Sequence, residues 1–280
     1  MSYKIIVDSC GELTEEMKRS GYYETASLSI DIDEHHIVDD ETFDQKRFLA
    51  LIAQSPNSPK SSCPSPETYM EEYHCEAEHI YAVTLSAELS GSYNSAVLGK
   101  SLYEEEYGEK DIYVFNSRSA SVGETLIALK IQECEEAGME FEEVVRTVEG
   151  YIEGQHTYFV LETLETLRKN GRLKGIKSLM ASALNIKPVM GSTPQGTICQ
   201  LGQARGMKKA LEKMIDEVAR GVKRPEEKVL AISHCNCPER AGRVKELLLE
   251  RMRPRDVIVL DTVKGKGIAY FEQAPNCHHV

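Results

Sequence analysis

Strand-like and helix-like segments alternate through most of this chain, and this alternation constrains the fold more than any other feature. From residue 78 the order is a strand over Ile80–Leu85, a helix over Ser92–Tyr103, a strand over Ile112–Phe115, and helices near 121–137 and 141–154. Strands separated by helices pair in parallel, and the helices cover both faces of the sheet. We therefore predict an α/β fold whose functional residues gather at the carboxyl ends of its strands.

The second half of the chain alternates in a similar way from His156 onward. The predicted strands cover 158–161, 186–190, 197–201, 229–233 and 257–260. One predicted helix ends at Arg168, and three others cover 174–184, 207–218 and 238–252. A length of 280 residues is enough for two domains, each with its own core. We predict an N-terminal α/β domain with a parallel sheet over 1–155 and a C-terminal α/β domain over 156–280.

The N-terminal segment begins with a short strand, Lys4–Val7, that ends in the polar sequence Asp8–Gly11. This sequence is typical of a strand-to-helix turn with exposed hydroxyl and amide groups, and Thr14 is expected to start a short polar helix. A strand-like alternation covers Ala26–Ile32, and a helix is predicted near Asp44–Ile52.

The composition excludes several classes of function. The chain has 45 acidic and 33 basic residues, and its formal net charge of -12 disfavours nucleic acid as a partner. No apolar run approaches the roughly 20 residues of a membrane span, and the first residues lead into a strand rather than a signal sequence. We expect a cytoplasmic protein without stable membrane insertion, whose eight cysteines stay as reduced thiols.

Metal-ligand residue types occur in two places, His234-Cys235-Asn236-Cys237 and Cys277-His278-His279. A zinc site between them is disfavoured by the spacing, because the Cys-x-Cys sequence is followed by Pro238 and lacks a second well-spaced pair. The other cluster lies at a terminus, where fraying is common. We therefore expect no metal site.

Two loops are rich in hydroxyl groups. Ser90-Gly91-Ser92 follows a strand and opens a helix, so its free backbone amides suit a carboxylate or a phosphate. The alternative is simple helix capping by Ser90. Ser61-Ser62 lies in Ser55–Pro66, where four prolines in twelve residues fix an extended path, and here the alternative is a stiff connector with helix-capping serines.

A stand-alone hydrolase that uses Ser90 or Cys63 as its nucleophile is a second hypothesis. Such a nucleophile needs a base held by a third group. The sequence has no recognisable nucleophile elbow and no histidine in a matching motif. The hydrolase hypothesis therefore depends on a base that the sequence does not indicate.

Several motifs along the chain occur in an order that resembles the DegV family of fatty-acid-binding proteins. They are Asp8-Ser9-Cys10-Gly11-Glu12-Leu13, Ser61-Ser62-Cys63-Pro64-Ser65-Pro66, Leu85-Ser86-Ala87-Glu88-Leu89-Ser90-Gly91-Ser92-Tyr93-Asn94-Ser95-Ala96, Ser117-Arg118-Ser119-Ala120-Ser121-Val122-Gly123, Leu164-Glu165-Thr166-Leu167-Arg168-Lys169-Asn170-Gly171-Arg172 and Asn185-Ile186-Lys187-Pro188. The resemblance extends from residue 4 to about 262.

The resemblance implies a two-domain DegV-like fold that binds one long-chain fatty acid, such as palmitate, stearate or oleate, in a cleft between the domains. The C-terminal domain would cover the acyl chain. The DegV protein acts as a carrier without a catalytic residue or cofactor of its own, and a separate ATP-dependent fatty acid kinase subunit phosphorylates the carboxylate to an acyl phosphate.

The resemblance also implies ligand-binding residues. Ser62, Ser90 and the amide of Gly91 would hold the carboxylate, helped by Ser61 and Ser92. Arg205 matches a basic position that lies near the head group in some members, and its alternative is a surface arginine at a helix start.

This sequence departs from the family pattern at three places. The family commonly has threonine in place of Ser61 and aspartate in place of Asn116. Many members have a head-group histidine and a longer glycine-rich strand where this chain has residues 263–280, so the pattern does not define that end of the pocket.

Overall fold

The computed structural model describes residues 3–173 and 185–261. Within these ranges the chain forms two compact units, each made of several stretches of sequence. The first unit contains the residues up to Phe43, Ser61–Gln155 and Pro194–Thr197, and the second contains Asp44–Lys60, His156–Thr193 and the residues from Ile198 onward. The assignment of the carboxylate to one domain and of the acyl chain to the other stays a prediction.

The helices and strands alternate along the described chain. In order they are β1 (Tyr3–Asp8), α1 (Glu15–Ser20), β2 (Tyr23–Ala26), β3 (Ser29–Ile32), β4 (His35–Val38), α2 (Gln45–Gln54), β5 (Lys60–Ser62), α3 (Pro66–Tyr73), β6 (His79–Thr84), α4 (Ser92–Tyr107), β7 (Asp111–Asn116), α5 (Val122–Glu136), α6 (Phe141–Glu153), β8 (Tyr158–Phe159), α7 (Glu165–Lys169), β9 (Ile186–Ser192), β10 (Ile198–Arg205), α8 (Met207–Gly221), β11 (Val229–His234), α9 (Pro238–Leu249) and β12 (Asp256–Asp261).

A four-stranded sheet in the order β2-β1-β6-β7 forms the centre of the first unit. All three strand pairs are parallel, and Ile5 of β1 lies between Tyr23 of β2 and Tyr81 of β6. The parallel α/β sheet predicted for the N-terminal region is therefore confirmed.

Helices cover both faces of this sheet, because successive side chains of a strand point to opposite sides. Ile5 and Val7 of β1 belong to a buried cluster that includes residues of α5 and α6, whereas Ile6 belongs to a second cluster with α3 and α4. The hydrophobic spacing predicted for the helix near 141–154 is confirmed by its buried residues, which are Val144, Val145, Val148 and Ile152.

A second sheet of the order β4-β3-β5 includes part of the strand-like alternation over 26–32. The prediction of one continuous strand there is wrong, since Ala26 ends β2 and Ser29 begins β3 in a different sheet. Between them the amide of Leu28 donates to Ser9 Oγ at 3.0 Å. This side-chain bond takes the place of a strand partner.

The second unit contains two smaller sheets. The strands β10, β9 and β8 pair antiparallel, and Arg205 at the end of β10 lies opposite Ile186. The strands β11 and β12 pair in parallel, and a buried cluster of α8 and α9 residues includes Ile215 and Val244. The helix predicted near 174–184 and the tail 263–280 lie outside the described residues.

No helix within residues 3–173 and 185–261 has both the length and the apolar composition needed to cross a membrane.

Candidate functional site

The loops after three neighbouring strands of the central sheet meet at one edge. β1, β6 and β7 are adjacent and parallel, so their carboxyl ends lie side by side. The amide of Leu85, just after β6, donates to Asp8 at the end of β1 (2.8 Å), and the amide of Ser86 donates to the carbonyl of Ser119 after β7 (2.9 Å). Hydrogen bonds thus tie the three loops together.

The turn after β1 differs from the sequence-based expectation. Asp8, Ser9, Cys10 and Gly11 are all buried, so the prediction of exposed hydroxyl and amide groups there is wrong. The polar atoms are used internally, because Asp8 Oδ1 accepts the Cys10 amide at 3.1 Å and Ser9 Oγ accepts the amide of Leu28, between β2 and β3, at 3.0 Å. This turn supports the neighbouring loops.

Ser90 and Gly91 form the turn that starts α4. The Ser90 amide donates to Ser86 O at 3.1 Å, and Ser90 Oγ accepts the amide of Ser92 at 3.2 Å. The residue at the N-cap position is Gly91, without a side-chain cap, so Ser90 is not a simple N-cap. In this 16-residue helix the Ser92 amide is used by Ser90 Oγ, but the amides that follow it in the first turn have no carbonyl partner within the helix, which gives the turn capacity for an anion.

The proline-rich segment passes next to this turn. A methyl group on Gly91 would lie 3.1 Å from the sulfur of Cys63, and that sulfur lies 3.6 Å from Ser95 Oγ. Cys63 directly follows Ser61 and Ser62, of which the first is half-buried and the second exposed. The structure therefore brings together the two hydroxyl-rich segments that the sequence places about thirty residues apart.

Ser92 is fully buried at the first position of α4. Its hydroxyl donates to Asp8 Oδ2 at 2.5 Å and lies 2.7 Å from the hydroxyl of Tyr69, which is fully buried in α3. The side chain of Ser92 thus joins the start of α4 to the end of β1.

A buried acidic cluster lies behind Ser92. Single side-chain atoms of Asp8, Cys10 and Glu124 all lie within 4.8 Å of one another, and all three residues are buried. Burial, followed by the charge of Asp8, raises the pKa of Glu124 well above its usual value. Burial also raises the pKa of Asp8, and hydrogen bonds from Ser92 and Leu85 oppose that shift.

The three residues of this cluster are of metal-ligating type, but their geometry favours a proton over a cation. Both oxygens of Asp8 already accept hydrogen bonds, from Cys10, Leu85 and Ser92. Burial, followed by the charges of Glu124 and Asp8, raises the pKa of the Cys10 thiol well above its usual value.

The family that the sequence motifs resemble commonly has aspartate at the position of Asn116. Its Oδ1 accepts the amides of Ala87 at 3.1 Å and of Arg118 at 3.2 Å. An aspartate oxygen accepts the same two bonds, so asparagine preserves this link between the loops after β6 and β7.

Arg205 lies in the second unit, whereas the serines lie in the first. It is the last residue of β10, with an exposed side chain, and α8 begins two residues later. Arg205 is therefore a strand-end residue rather than part of a helix.

The metal-ligand residue types of the second unit have protein partners. His234 ends β11, where its Nδ1 lies 3.4 Å from the Cys237 amide and 3.4 Å from the Asp261 carboxylate. The second half of the zinc alternative, Cys277-His278-His279, lies outside the described residues.

A nucleophile would need a nearby base. Ser90 Oγ accepts an amide and Cys63 Sγ contacts a serine, and within the described ranges no histidine forms a hydrogen bond with either atom. The geometry therefore adds no support to the hydrolase alternative.

The family model described as DegV, uncharacterised protein, matches residues 2–268 of this chain. The chain belongs to the DegV family. A DegV domain-containing protein of Streptococcus pyogenes serotype M1 is 33% identical over 220 residues, which cover 78% of this chain and 78% of that protein. The family predicted from the sequence motifs is thus confirmed.

Solved structures of DegV proteins resemble the chain over nearly its whole length. A DegV family protein of Ruminococcus gnavus, refined with vaccenic acid, is 66% identical with a TM-score of 0.93, and 96% of each chain is covered. The Streptococcus pneumoniae Fatty Acid Kinase (Fak) B3 protein, loaded with linoleic acid, is 30% identical with a TM-score of 0.86, covering 98% of this chain and 96% of that one. The DegV α/β fold is confirmed.

Sequence reasoning missed the acidic support of this site. It identified the hydroxyl loops of this DegV protein, but neither Glu124 nor the contact of Tyr69 with Ser92. The available signal was Glu124, a charged residue directly after Val122 and Gly123 at the start of a helix.

Proposed function

We propose that this DegV protein binds one long-chain fatty acid and presents its carboxylate to a separate fatty acid kinase subunit. The observation that carries the proposal is the contact between the proline-rich segment and the α4 turn, through Cys63 and Gly91. Relatives support the ligand class, since the R. gnavus protein was refined with vaccenic acid and the pneumococcal Fak B3 protein was loaded with linoleic acid.

In this proposal, each residue of the two loops has a defined role. The hydroxyls of Ser62 and Ser90 and the amide of Gly91 donate to the ligand carboxylate, and Ser61 assists. Ser92 acts indirectly by holding the start of α4, because its hydroxyl already bonds to Asp8. These neutral donors satisfy the carboxylate without a fixed counter-charge that would oppose transfer of a phosphoryl group to it.

Arg205 has two possible roles in the proposal. The exposed side chain at the end of β10 fits a head-group contact as well as a surface arginine. Arg205→Ala in the binding assay below separates them, because only a head-group residue changes the affinity for the fatty acid.

Burial of the acyl chain provides most of the affinity, while the hydroxyls set its direction. A chain of sixteen to eighteen carbons buries about fifteen methylenes at about 0.8 kcal/mol each, before the costs of ordering the chain and of association. A carboxylate without partners at the end of an apolar site costs several kcal/mol. The serine loops remove that cost and so fix which end of the ligand faces the kinase.

Ser62→Ala combined with Ser90→Ala tests the proposal. Loss of two hydrogen bonds to a charged group should cost about 3 kcal/mol, which raises Kd for oleate roughly a hundredfold. Binding is measured by displacement of a fluorescent fatty acid, and function by acyl phosphate formation with a purified fatty acid kinase subunit and ATP.

The matched control is Ser101→Ala, an exposed serine of the same helix whose hydroxyl, among the residues that the structure describes, bonds only to the Val97 carbonyl at 3.3 Å. It should bind and support the kinase as the wild type does. Equal affinity and activity in the double variant and the control would refute the assigned carboxylate site. Absence of any acyl chain in protein purified from cells, together with no uptake of added oleate, would refute the lipid-binding function.

A further inference from the structure

Glu124 is a fully buried carboxyl group in the first turn of α5. Neither of its oxygens accepts a hydrogen bond from a nitrogen or hydroxyl group of the residues that the structure describes, and the side chains it interacts with are the Asp8 carboxyl and the Cys10 thiol, a weak donor. Gly11 packs directly against it, since a methyl group there would lie 3.0 Å from Glu124 Cβ. An ionised carboxylate in such a place is strongly disfavoured.

The neighbouring carboxyl group, Asp8, has the opposite environment. Its oxygens accept hydrogen bonds from the Cys10 amide (3.1 Å), the Leu85 amide (2.8 Å) and the Ser92 hydroxyl (2.5 Å). These donors stabilise the ionised form of Asp8. Two carboxyl groups this close share one proton, and the distribution of donors places it on Glu124.

We propose that Glu124 is a positioning residue that is protonated at neutral pH and donates a hydrogen bond to Asp8. Asp8 then anchors Ser92, the first residue of α4, and Leu85, the first residue after β6. Glu124 thus holds both ends of the segment that carries Ser90. Its effect on ligand binding rests on the function proposed above, whereas its protonation does not.

The surroundings of Glu124 contain further acidic groups. Besides Asp8, the titratable groups that face it are Cys10 and Glu12 from the turn after β1 and Tyr69 from α3. Burial, then the charge of Asp8, raises the pKa of Glu124 well above the ordinary value of 4.5. The folded chain therefore keeps a proton that the unfolded chain loses above that value.

This difference predicts how stability changes with pH. The contribution of a group whose pKa is raised by folding is fully present below its unfolded pKa and is lost as pH rises toward its folded pKa. Glu124→Gln keeps an N–H donor but cannot ionise. The folding equilibrium constant of the wild type should therefore fall about tenfold per pH unit relative to that of Glu124→Gln, from about pH 5 upward.

The experiment measures equilibrium urea unfolding of both proteins from about pH 5 to 8, with Glu124→Ala as the variant that lacks a donor. If the ratio of the wild-type folding constant to that of Glu124→Gln does not change with pH, Glu124 is ionised in the folded protein and the proposal is overturned. Oleate affinity is measured at neutral pH in the same proteins. Glu124→Gln should match the wild type and Glu124→Ala should bind about tenfold more weakly.

Each further outcome has a distinct meaning. Equal oleate affinity in Glu124→Ala and the wild type would overturn the positioning role. A wild type that binds no fatty acid would instead refute the proposed function, while the pH dependence of folding still tests the protonation. If Glu124→Gln does not fold, infrared spectra decide, because at neutral pH the wild type should show a neutral carboxyl band that Glu124→Ala lacks, whereas the Glu72 carboxyl, whose pKa burial raises to about 7, contributes to both spectra. Absence of that band would overturn the proposal.

Discussion

Ser92→Ala removes the hydroxyl that joins α4 to the central sheet. In the wild type this hydroxyl donates to Asp8 at 2.5 Å and lies 2.7 Å from the hydroxyl of Tyr69. All three side chains are buried without measurable exposure. The substitution leaves the Tyr69 hydroxyl without its partner and removes one donor to Asp8 Oδ2, which keeps the Leu85 amide.

The expected cost follows from these two losses. A hydrogen bond to a charged group contributes about 1.5–3 kcal/mol, and a buried hydroxyl left without a partner costs about 1–3 kcal/mol. We expect Ser92→Ala to lower the free energy of unfolding by about 3 kcal/mol. Tyr69→Phe, which removes only the second hydroxyl, should cost about 1 kcal/mol.

A double-mutant cycle measured by urea unfolding tests this reasoning. The double variant of Ser92→Ala and Tyr69→Phe should be more stable than the sum of the single effects predicts, by about 1 kcal/mol, because no unpartnered hydroxyl remains. Ser101→Ala, on the exposed side of α4, should change stability by less than about 0.5 kcal/mol. Additive effects, or a loss in Ser92→Ala no larger than in Ser101→Ala, would refute the assigned contacts.

Two other substitutions test packing and charge. Gly99→Ala places a methyl group 2.6 Å from a backbone oxygen of α3, and in urea unfolding it should lower the unfolding free energy by about 1–3 kcal/mol. The control is Gly150→Ala, whose added methyl group has open space around it and should not destabilise the protein. An equal loss of unfolding free energy in both variants would contradict the close packing of α3 on α4. Burial opposes ionisation of Glu162, but hydrogen bonds from Lys187 and Arg240 outweigh it and lower its pKa. The stability that Glu162 contributes is therefore present above its ordinary pKa and is lost as pH falls below it. Glu162→Gln should make the melting temperature fall less steeply on the acid side of its pH profile. An unchanged fall would contradict the hydrogen bonds assigned to Glu162.

Elements with a strong local signal were predictable from the sequence. The helix over Phe141–Glu153 has apolar residues at helical spacing, and its buried face follows that spacing. The break between Ala26 and Ser29 was not predictable, because it depends on the hydroxyl of Ser9, 19 residues away from Leu28 in the chain. Local alternation of apolar and polar residues does not reveal such a contact.

The site shows the same division. The place of Ser90 and Gly91 in a turn between a strand and a helix was predictable, because such a turn has a local sequence pattern, whereas their role in ligand binding stays a prediction. The contact of Ser92 with Asp8 joins residues 84 positions apart. Glu124, which lies next to Asp8, belongs to a third element, α5. Sequence patterning shows which residues are polar, but only the fold shows that these polar residues are buried together.

If the proposed function is correct, the start of α4 must tolerate two anions. Asp8 already accepts the hydroxyl of Ser92, the first residue of the helix, and the ligand carboxylate would approach amides of the same turn. A helix start carries only about half an elementary positive charge. An ionised Glu124 would add a third negative charge in contact with Asp8 and would disfavour the ligand. A neutral Glu124 keeps the hydrogen bond to Asp8 without that charge, so ionising it should weaken folding and fatty acid binding together.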